Sequence, residues 1–352
     1  MSRLDPSPPG GRAYGVVHAS GGAGVNVVVV GAGSWGTTVA ALTSAAAHTV
    51  LWARRPELAA EIEGSHTNST YLPGFALPPA LRATSDLAVA VAGADVVVMG
   101  VPSHGFREIA AAAAPHVRPG IPVVSLAKGL EQGTQLRMSE VLAAELPGHP
   151  VGVLTGPNLA AEVLAGHPAA SVVAFADQSV AADLQALMGG PTLRIYTNPD
   201  VVGCELAGVV KNVIAIAAGM CDGMGFGDNS KATLITRGLA EMARLGVAMG
   251  GEPATFAGLA GMGDLIATCA SARSRNNSVG RALGEGRQIG EIVAAMNMVA
   301  EGVKSSPSVL ALARRHGVEM PIAEQVAAVC AGDTDARTAL TTLMTRASRS
   351  EL

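Results

Sequence analysis

"VNVVVVGAGSWGTTVAAL", residues 25–42, decides the fold. A run of valines ends in Gly31, Gly33 and Gly36 at G-x-G-x-x-G spacing, and a helical pattern expected over Ser34–Ala47 follows. In a chain of 43 glycines that spacing also arises by chance. A strand before it and a helix after it, inside a βαβ unit, give it meaning. Gly31 then permits the tight turn, Gly33 lets the backbone approach a pyrophosphate, and Gly36 lets helix and strand pack closely. The helix N-terminus adds unpaired amides and a favourable dipole. The stretch reads as a dinucleotide-binding loop.

Working outward, short apolar runs recur: "TVLWA" (49–53), "DVVVMGV" (95–101), "PVVSLA" (122–127), "VGVLTG" (151–156) and "ASVVAF" (170–175). Their continuous rather than alternating character implies strands covered on both faces, as in a parallel doubly wound sheet. After "TNPD" (197–200) helical periodicity runs to the end. The expected class is α/β: a Rossmann-like doubly wound sheet over residues 25–200, then an all-helical substrate domain over 201–352. Residues 1–24, rich in Gly, Pro and Ser, read as a disordered tail. At the end of the second strand, where an acid would read the ribose of NAD, "LWARRPE" places Arg54 and Arg55. Two arginines suit a 2′-phosphate, which favours NADP(H) and leaves NAD(H) open. The alternatives are a solvated pair opening the next helix, or arginine stacked on adenine.

Composition narrows the partners. At 352 residues the chain suits about two domains. A formal charge of −4 and 3 % aromatic residues give no pull toward nucleic acid. Ala13 to Ala53 contains no Asp, Glu, Lys or Arg, but Gly- and Ser-rich breaks leave no apolar run long enough for a membrane span or a secretory signal. Cysteines 204, 221, 269 and 330 form no CxxC pair and the histidines are scattered, so neither a disulfide framework nor a metal site is expected. A cytoplasmic enzyme is the default, and a homodimer is left open.

A second site is suggested where the two halves meet. "VVSLAKGLE" ends one strand with Lys128, and "VLTGPNLAAEV" ends another with Gly156, Pro157 and Asn158. In doubly wound sheets ligands sit beyond such carboxyl ends. "CELAGVVKNVIAIAAG" (204–219) sets Lys211 among Ala207, Gly208, Ala215 and Ala218, small neighbours that leave room for a ligand. "GLAGMGDLIATCASARSRNNSVG" adds Asp264, Ser274, Arg275 and Asn276. Each has a plainer reading: Lys211 as a rim lysine with its amine in water, Lys128 on the surface, Asp264 as a helix cap, "SARSRNN" as a solvated loop. Together, two lysines and an arginine beside a dinucleotide loop point to a small anionic substrate.

"GAGSWGTTVA", "SLAKGLE", "TGPNLAAE", "ELAGVVKNVIAIAAGMCDGMGFGDNSKA", "GLAGMGDLIATC", "SRNNSVG" and "VAEGVKS" occur in this order across residues 26–306. The series resembles bacterial NAD(P)-dependent glycerol-3-phosphate dehydrogenases. That resemblance implies that Ser34, Trp35, Arg54, Arg55, Ala160, Val299 and Glu301 lie against the cofactor. Lys128 and Arg275 would touch both cofactor and substrate, while Gly156, Asn158, Asp264, Ser274 and Asn276 would surround glycerol 3-phosphate. Lys211 matches the family's proton-transfer lysine. The implied reaction is reversible reduction of dihydroxyacetone phosphate to sn-glycerol 3-phosphate, the phospholipid backbone. Asn158 stands where the family usually has Ser or Thr, and Leu159 where it has Phe. Two rivals remain: a related two-domain dehydrogenase acting on a hydroxy acid or sugar phosphate, and a dinucleotide-sensing protein without turnover.

Overall fold

A computed structural model describes residues 24–296 and 300–347. The tail expected over 1–24 therefore falls, but for Gly24, outside the described residues, as does Val299. One eight-stranded sheet comprises β1 (Asn26–Val30), β2 (His48–Trp52), β3 (Arg82–Thr84), β4 (Val96–Met99), β5 (Val123–Ser125), β6 (Val151–Thr155), β7 (Ala169–Phe175) and β8 (Leu193–Asn198). Their spatial order is β3-β2-β1-β4-β5-β6-β7-β8. β1 to β6 run parallel, and their valines are buried between helices on both faces, one core packing around Val27, Val29 and Leu51, another around Val28, Val30 and Phe106.

The all-parallel expectation fails at the far edge. β7 pairs antiparallel to β6, with Thr155 opposite Val172, and β8 runs parallel to β7. Between β6 and β7 lies only a five-residue helix, Ala160–Leu164, too short to carry the chain back along the sheet for a parallel return. β3 and β8 are too short or too polar to stand out in the sequence. The first helix, Ser34–Thr43, ends earlier than expected: the Ser44 hydroxyl donates back to the Ala41 carbonyl and the chain turns toward β2.

Beyond β8 the structure is helical. Its centre is the 23-residue helix Val201–Gly223, capped by Asp200, whose carboxylate accepts the Gly203 amide at 2.7 Å. This helix is apolar and long enough to cross a membrane, yet 89 % of its apolar window is buried inside the fold. Helices Asp228–Ala248, Asp264–Ala270, Arg275–Gly284, Glu301–Arg315 and Pro321–Ala331 pack around it. The small-residue stripe explains the closeness: a Cβ on Gly219 would lie 2.1 Å from the Asn277 carbonyl, and one on Gly280 would lie 1.9 Å from that of Ile216. Asp264–Ala270 and Ala336–Met344 are helices that periodicity does not separate from their surroundings.

Candidate active site

The phosphate loop has the geometry its glycines require. Gly31 has φ +119°, and a Cβ there would sit 2.7 Å from the Gly100 carbonyl of the β4 end. A Cβ on Gly36 would lie 2.0 Å from Gly31 O, so the helix seats directly on the turn. A Cβ on Gly33, the N-cap of Ser34–Thr43, would instead meet open space, and Gly33 has no side chain with which to cap that helix. The Trp35 indole nitrogen is buried without a partner among the described residues. An open cradle, a helix N-terminus and a spare donor fit a dinucleotide diphosphate. Ala160 is brought to the helix behind the loop, its carbonyl accepting the Thr38 hydroxyl at 3.3 Å.

Arg54 and Arg55 lie exposed beyond β2. The Arg55 guanidinium stands 5.7 Å from the centre of the Tyr71 ring. Across the cleft, Glu301 opens the helix Glu301–Arg315 and reaches the β4 end, where it accepts the Ser103 hydroxyl at 2.7 Å. His104, exposed beside it, titrates below its ordinary value, first through partial burial and then through the charges of Lys304 and Arg54. Ser103, His104 and Lys304 went unnoticed in the sequence. The first two stand just past a strand end, which is the one signal that marks them.

The second site is built from four elements. Lys128 follows β5 and Gly156 follows β6; Lys211 comes from the central helix, and Asp264 opens its own helix after a π-helical turn, Leu259–Gly263. Such turns are rare, and they occur frequently at functional sites. Lys128 Nζ donates to Gly156 O at 3.0 Å, Asn158 Oδ1 at 2.8 Å and Asp264 Oδ2 at 2.7 Å. Lys211 Nζ donates to Asp264 Oδ1 at 2.8 Å and Thr268 Oγ1 at 2.7 Å. One buried carboxylate thus joins two ammonium groups. Lys211 is 5 % exposed, so its amine is not a rim group in water. Desolvation lowers the Lys128 amine to about 8; Asp264 opposes that shift and the Lys211 charge adds to it.

The surrounding polar groups are also engaged. Asn212 Nδ2 donates to the Lys128 carbonyl at 2.9 Å and Asn212 Oδ1 accepts from Asn276 Nδ2 at 2.9 Å, while Asn276 Oδ1 accepts the Gly302 amide at 3.0 Å. Ser274 caps the helix Arg275–Gly284, its hydroxyl accepting the Asn277 amide at 3.3 Å; the "SARSRNN" stretch is therefore a capped helix start rather than a loose loop. Arg275 opens to solvent, and the protein around it pulls its guanidinium below the ordinary value against the charge of Glu301. Asn158 Nδ2 is buried with no partner among the described residues. Thr268 and Asn212 escaped the sequence reading, although Thr268 lies one helical turn from Asp264 and Asn212 adjoins Lys211. Among the described residues no group of three or more His, Cys, Asp or Glu is placed to hold a metal.

Comparison with known proteins gives the family. Residues 26–181 match the family model described as NAD-dependent glycerol-3-phosphate dehydrogenase N-terminus, and residues 200–341 match its C-terminus. A Sphingopyxis alaskensis protein named glycerol-3-phosphate dehydrogenase [NAD(P)+] 2 is 60 % identical over 88 % of this chain and 92 % of its own. A Thermobifida fusca glycerol-3-phosphate dehydrogenase [NAD(P)+] is 53 % identical over 92 % of this chain and 98 % of its own. The crystal structure of the Coxiella burnetii glycerol-3-phosphate dehydrogenase superposes with TM-score 0.88 at 37 % identity, covering 92 % of this chain and 99 % of that one. The chain belongs to the NAD-dependent glycerol-3-phosphate dehydrogenase family.

Proposed function

We propose that this protein uses NADPH, and NADH less well, to reduce dihydroxyacetone phosphate to sn-glycerol 3-phosphate, reversibly, feeding phospholipid synthesis from the cytoplasm. When bound, the nicotinamide supplies hydride to the substrate's C2. Everything else falls to the chain's own residues. The observation that carries the assignment of roles is the count of ammonium hydrogens. Among the described residues Lys128 gives all three to protein acceptors, whereas Lys211 gives two, to Asp264 and Thr268. The third N–H of Lys211 remains to protonate the oxygen forming at C2. Asp264 and Thr268 orient that ammonium. Lys128 contributes positive charge beside the same oxygen, and the unpaired Asn158 amide supplies a further donor to the substrate. Arg275 and Asn276 bind the phosphate, so that its binding energy orients the reacting carbon. Arg54 and Arg55 take the 2′-phosphate of NADPH.

The test is oxidation of NADPH by the purified protein with dihydroxyacetone phosphate, with unphosphorylated dihydroxyacetone, and with 2-keto acids. Fast turnover confined to the phosphorylated ketone is expected. Preference for a 2-keto acid would move the chain to another dehydrogenase activity, and absence of turnover with all three would leave a cofactor-binding protein without catalysis.

A further inference from the structure

The phosphate loop has a support outside its own motif. Asn68 lies in the segment between the helix Pro56–Ser65 and β3, and it is wholly buried. Its amide nitrogen donates to the Ala32 carbonyl at 3.0 Å and to the Thr37 hydroxyl at 2.8 Å, and its Oδ1 accepts the Tyr71 amide at 3.2 Å. Every polar atom of the side chain is therefore used. Two of its three contacts fall on the loop and on the first turn of the helix behind it.

The bond to Ala32 controls a peptide that is otherwise loose. Ala32 lies between Gly31, wedged against the β4 end, and Gly33, which has open space on its outer side. A trans peptide points its C=O and the following N–H in opposite directions. With the Ala32 oxygen drawn inward to Asn68, the Gly33 N–H must face outward, on the side where the cradle is open. Flipping that peptide changes ψ of Ala32 and φ of Gly33, and glycine accepts a new φ at no steric cost. The residue that lets a diphosphate come close thus also lets the amide turn away from it.

We propose that Asn68 is a positioning residue for the cofactor diphosphate: by holding the Ala32 carbonyl it keeps the Gly33 amide aimed at the diphosphate oxygens. It touches neither cofactor nor substrate. Its effect falls on the part shared by NADPH and NADH, in contrast to Arg54 and Arg55, which discriminate between them. The inference rests on the dinucleotide reading of the loop.

Asn68→Leu keeps the shape and removes the donor. A hydrogen bond to a charged acceptor is lost from the bound complex, so NADPH, NADH and ADP should each weaken by a similar factor of about tenfold or more. Binding of 2′-AMP, which has no diphosphate, should stay within twofold, as should kcat at saturating NADPH. Thr37→Val removes the other acceptor of the same amide and serves as a packing control. It should lower the melting temperature without the loss of ADP affinity. If Asn68→Leu does not fold, wild-type protein labelled with 15N-glycine should show a large shift of the Gly33 amide on titration with ADP. Unchanged ADP affinity in folded Asn68→Leu, equal losses of ADP affinity in both variants, or a Gly33 amide indifferent to ADP overturns the proposal. Failure of the wild type to bind NADPH or ADP at all would overturn the dinucleotide reading with it.

Discussion

Replacing Lys211 with methionine separates its two functions in the structure. Ala207, Gly208 and Ala215 stand one turn away on the lysine's own helix and all are buried, so a thioether of similar length can fill the space of the stem. What disappears is the ammonium, with its bonds of 2.8 Å to Asp264 and 2.7 Å to Thr268 and the one N–H left for substrate. A positioned acid is worth roughly 10²–10⁴ in rate, or about 3–5 kcal/mol of barrier. With Lys211 5 % exposed, bulk water has little access to replace it, which places the expected loss of kcat at about 10³-fold. The fold should survive. Asp264 keeps the Lys128 ammonium at 2.7 Å and the Thr268 hydroxyl at 3.3 Å, so its carboxylate is not stranded, and the stability cost should be about 1–3 kcal/mol rather than that of an unpaired buried charge. The assay is steady-state NADPH oxidation at saturating dihydroxyacetone phosphate, with NADPH affinity from fluorescence and the fold from circular dichroism. A primary deuterium isotope effect from C4-deuterated NADPH should rise as chemistry becomes limiting. A folded Lys211→Met protein that binds NADPH and keeps near-normal kcat would remove Lys211 from the chemistry.

Four further outcomes are expected. The Lys128 amine, held at about 8, is charged below that pH and neutral above it, so KM for the phosphorylated ketone should climb as pH passes 8; Asp264→Asn removes the neighbour that keeps the amine protonated and should start the climb at lower pH. Because the folded chain holds fewer protons at Lys128 than the unfolded chain between about 8 and its ordinary 10.5, this group should make stability rise with pH across that interval, which urea titrations can measure. Changing Arg54 and Arg55 together to neutral residues should weaken NADPH far more than NADH, and equal losses of both would show that the pair does not read the 2′-phosphate. Arg275→Ala should raise KM for dihydroxyacetone phosphate by about tenfold or more while hardly affecting unphosphorylated dihydroxyacetone; an unchanged KM would place the phosphate elsewhere.

The parts of this architecture legible in the sequence are those fixed by local pattern. Valine runs mark buried parallel strands, and the carboxyl-end rule then points to Lys128 and Asn158 before any contact is known. Lys211 stands out because it interrupts a helix that is otherwise small and apolar. What escapes are pairings across long stretches of chain. That Asp264 serves two lysines, one 136 positions away and the other 53, follows from the packing of three elements and leaves no local trace. Asn68 is likewise a polar residue in an irregular segment, and only its burial and its bonds to Ala32 and Thr37 tie it to the loop. The reversed edge strands escape because an apolar run carries no sign of its direction.

That reversal governs where the central helix begins. β6 delivers Thr155 upward to the cleft, but β8 descends, so Asn198 ends level with Ala174 and hence with Val153, two residues below Thr155. The chain enters the central helix from beneath the cleft and must climb, at about 1.5 Å per residue, before it can reach the level of the ligand. Gly208 arrives beside Thr155 and the Lys128 stem, and Lys211 follows almost one turn later. Had β7 and β8 continued in the direction of their neighbours, the chain would have left the sheet at the cleft itself, and a residue ten places into the helix would have been carried off past it. The segment from Val201 to Lys211 therefore behaves as a measured spacer. Inserting one residue there would swing the ammonium by about 100° around the helix axis, so the distance along the chain is as strictly constrained as the identity of the lysine.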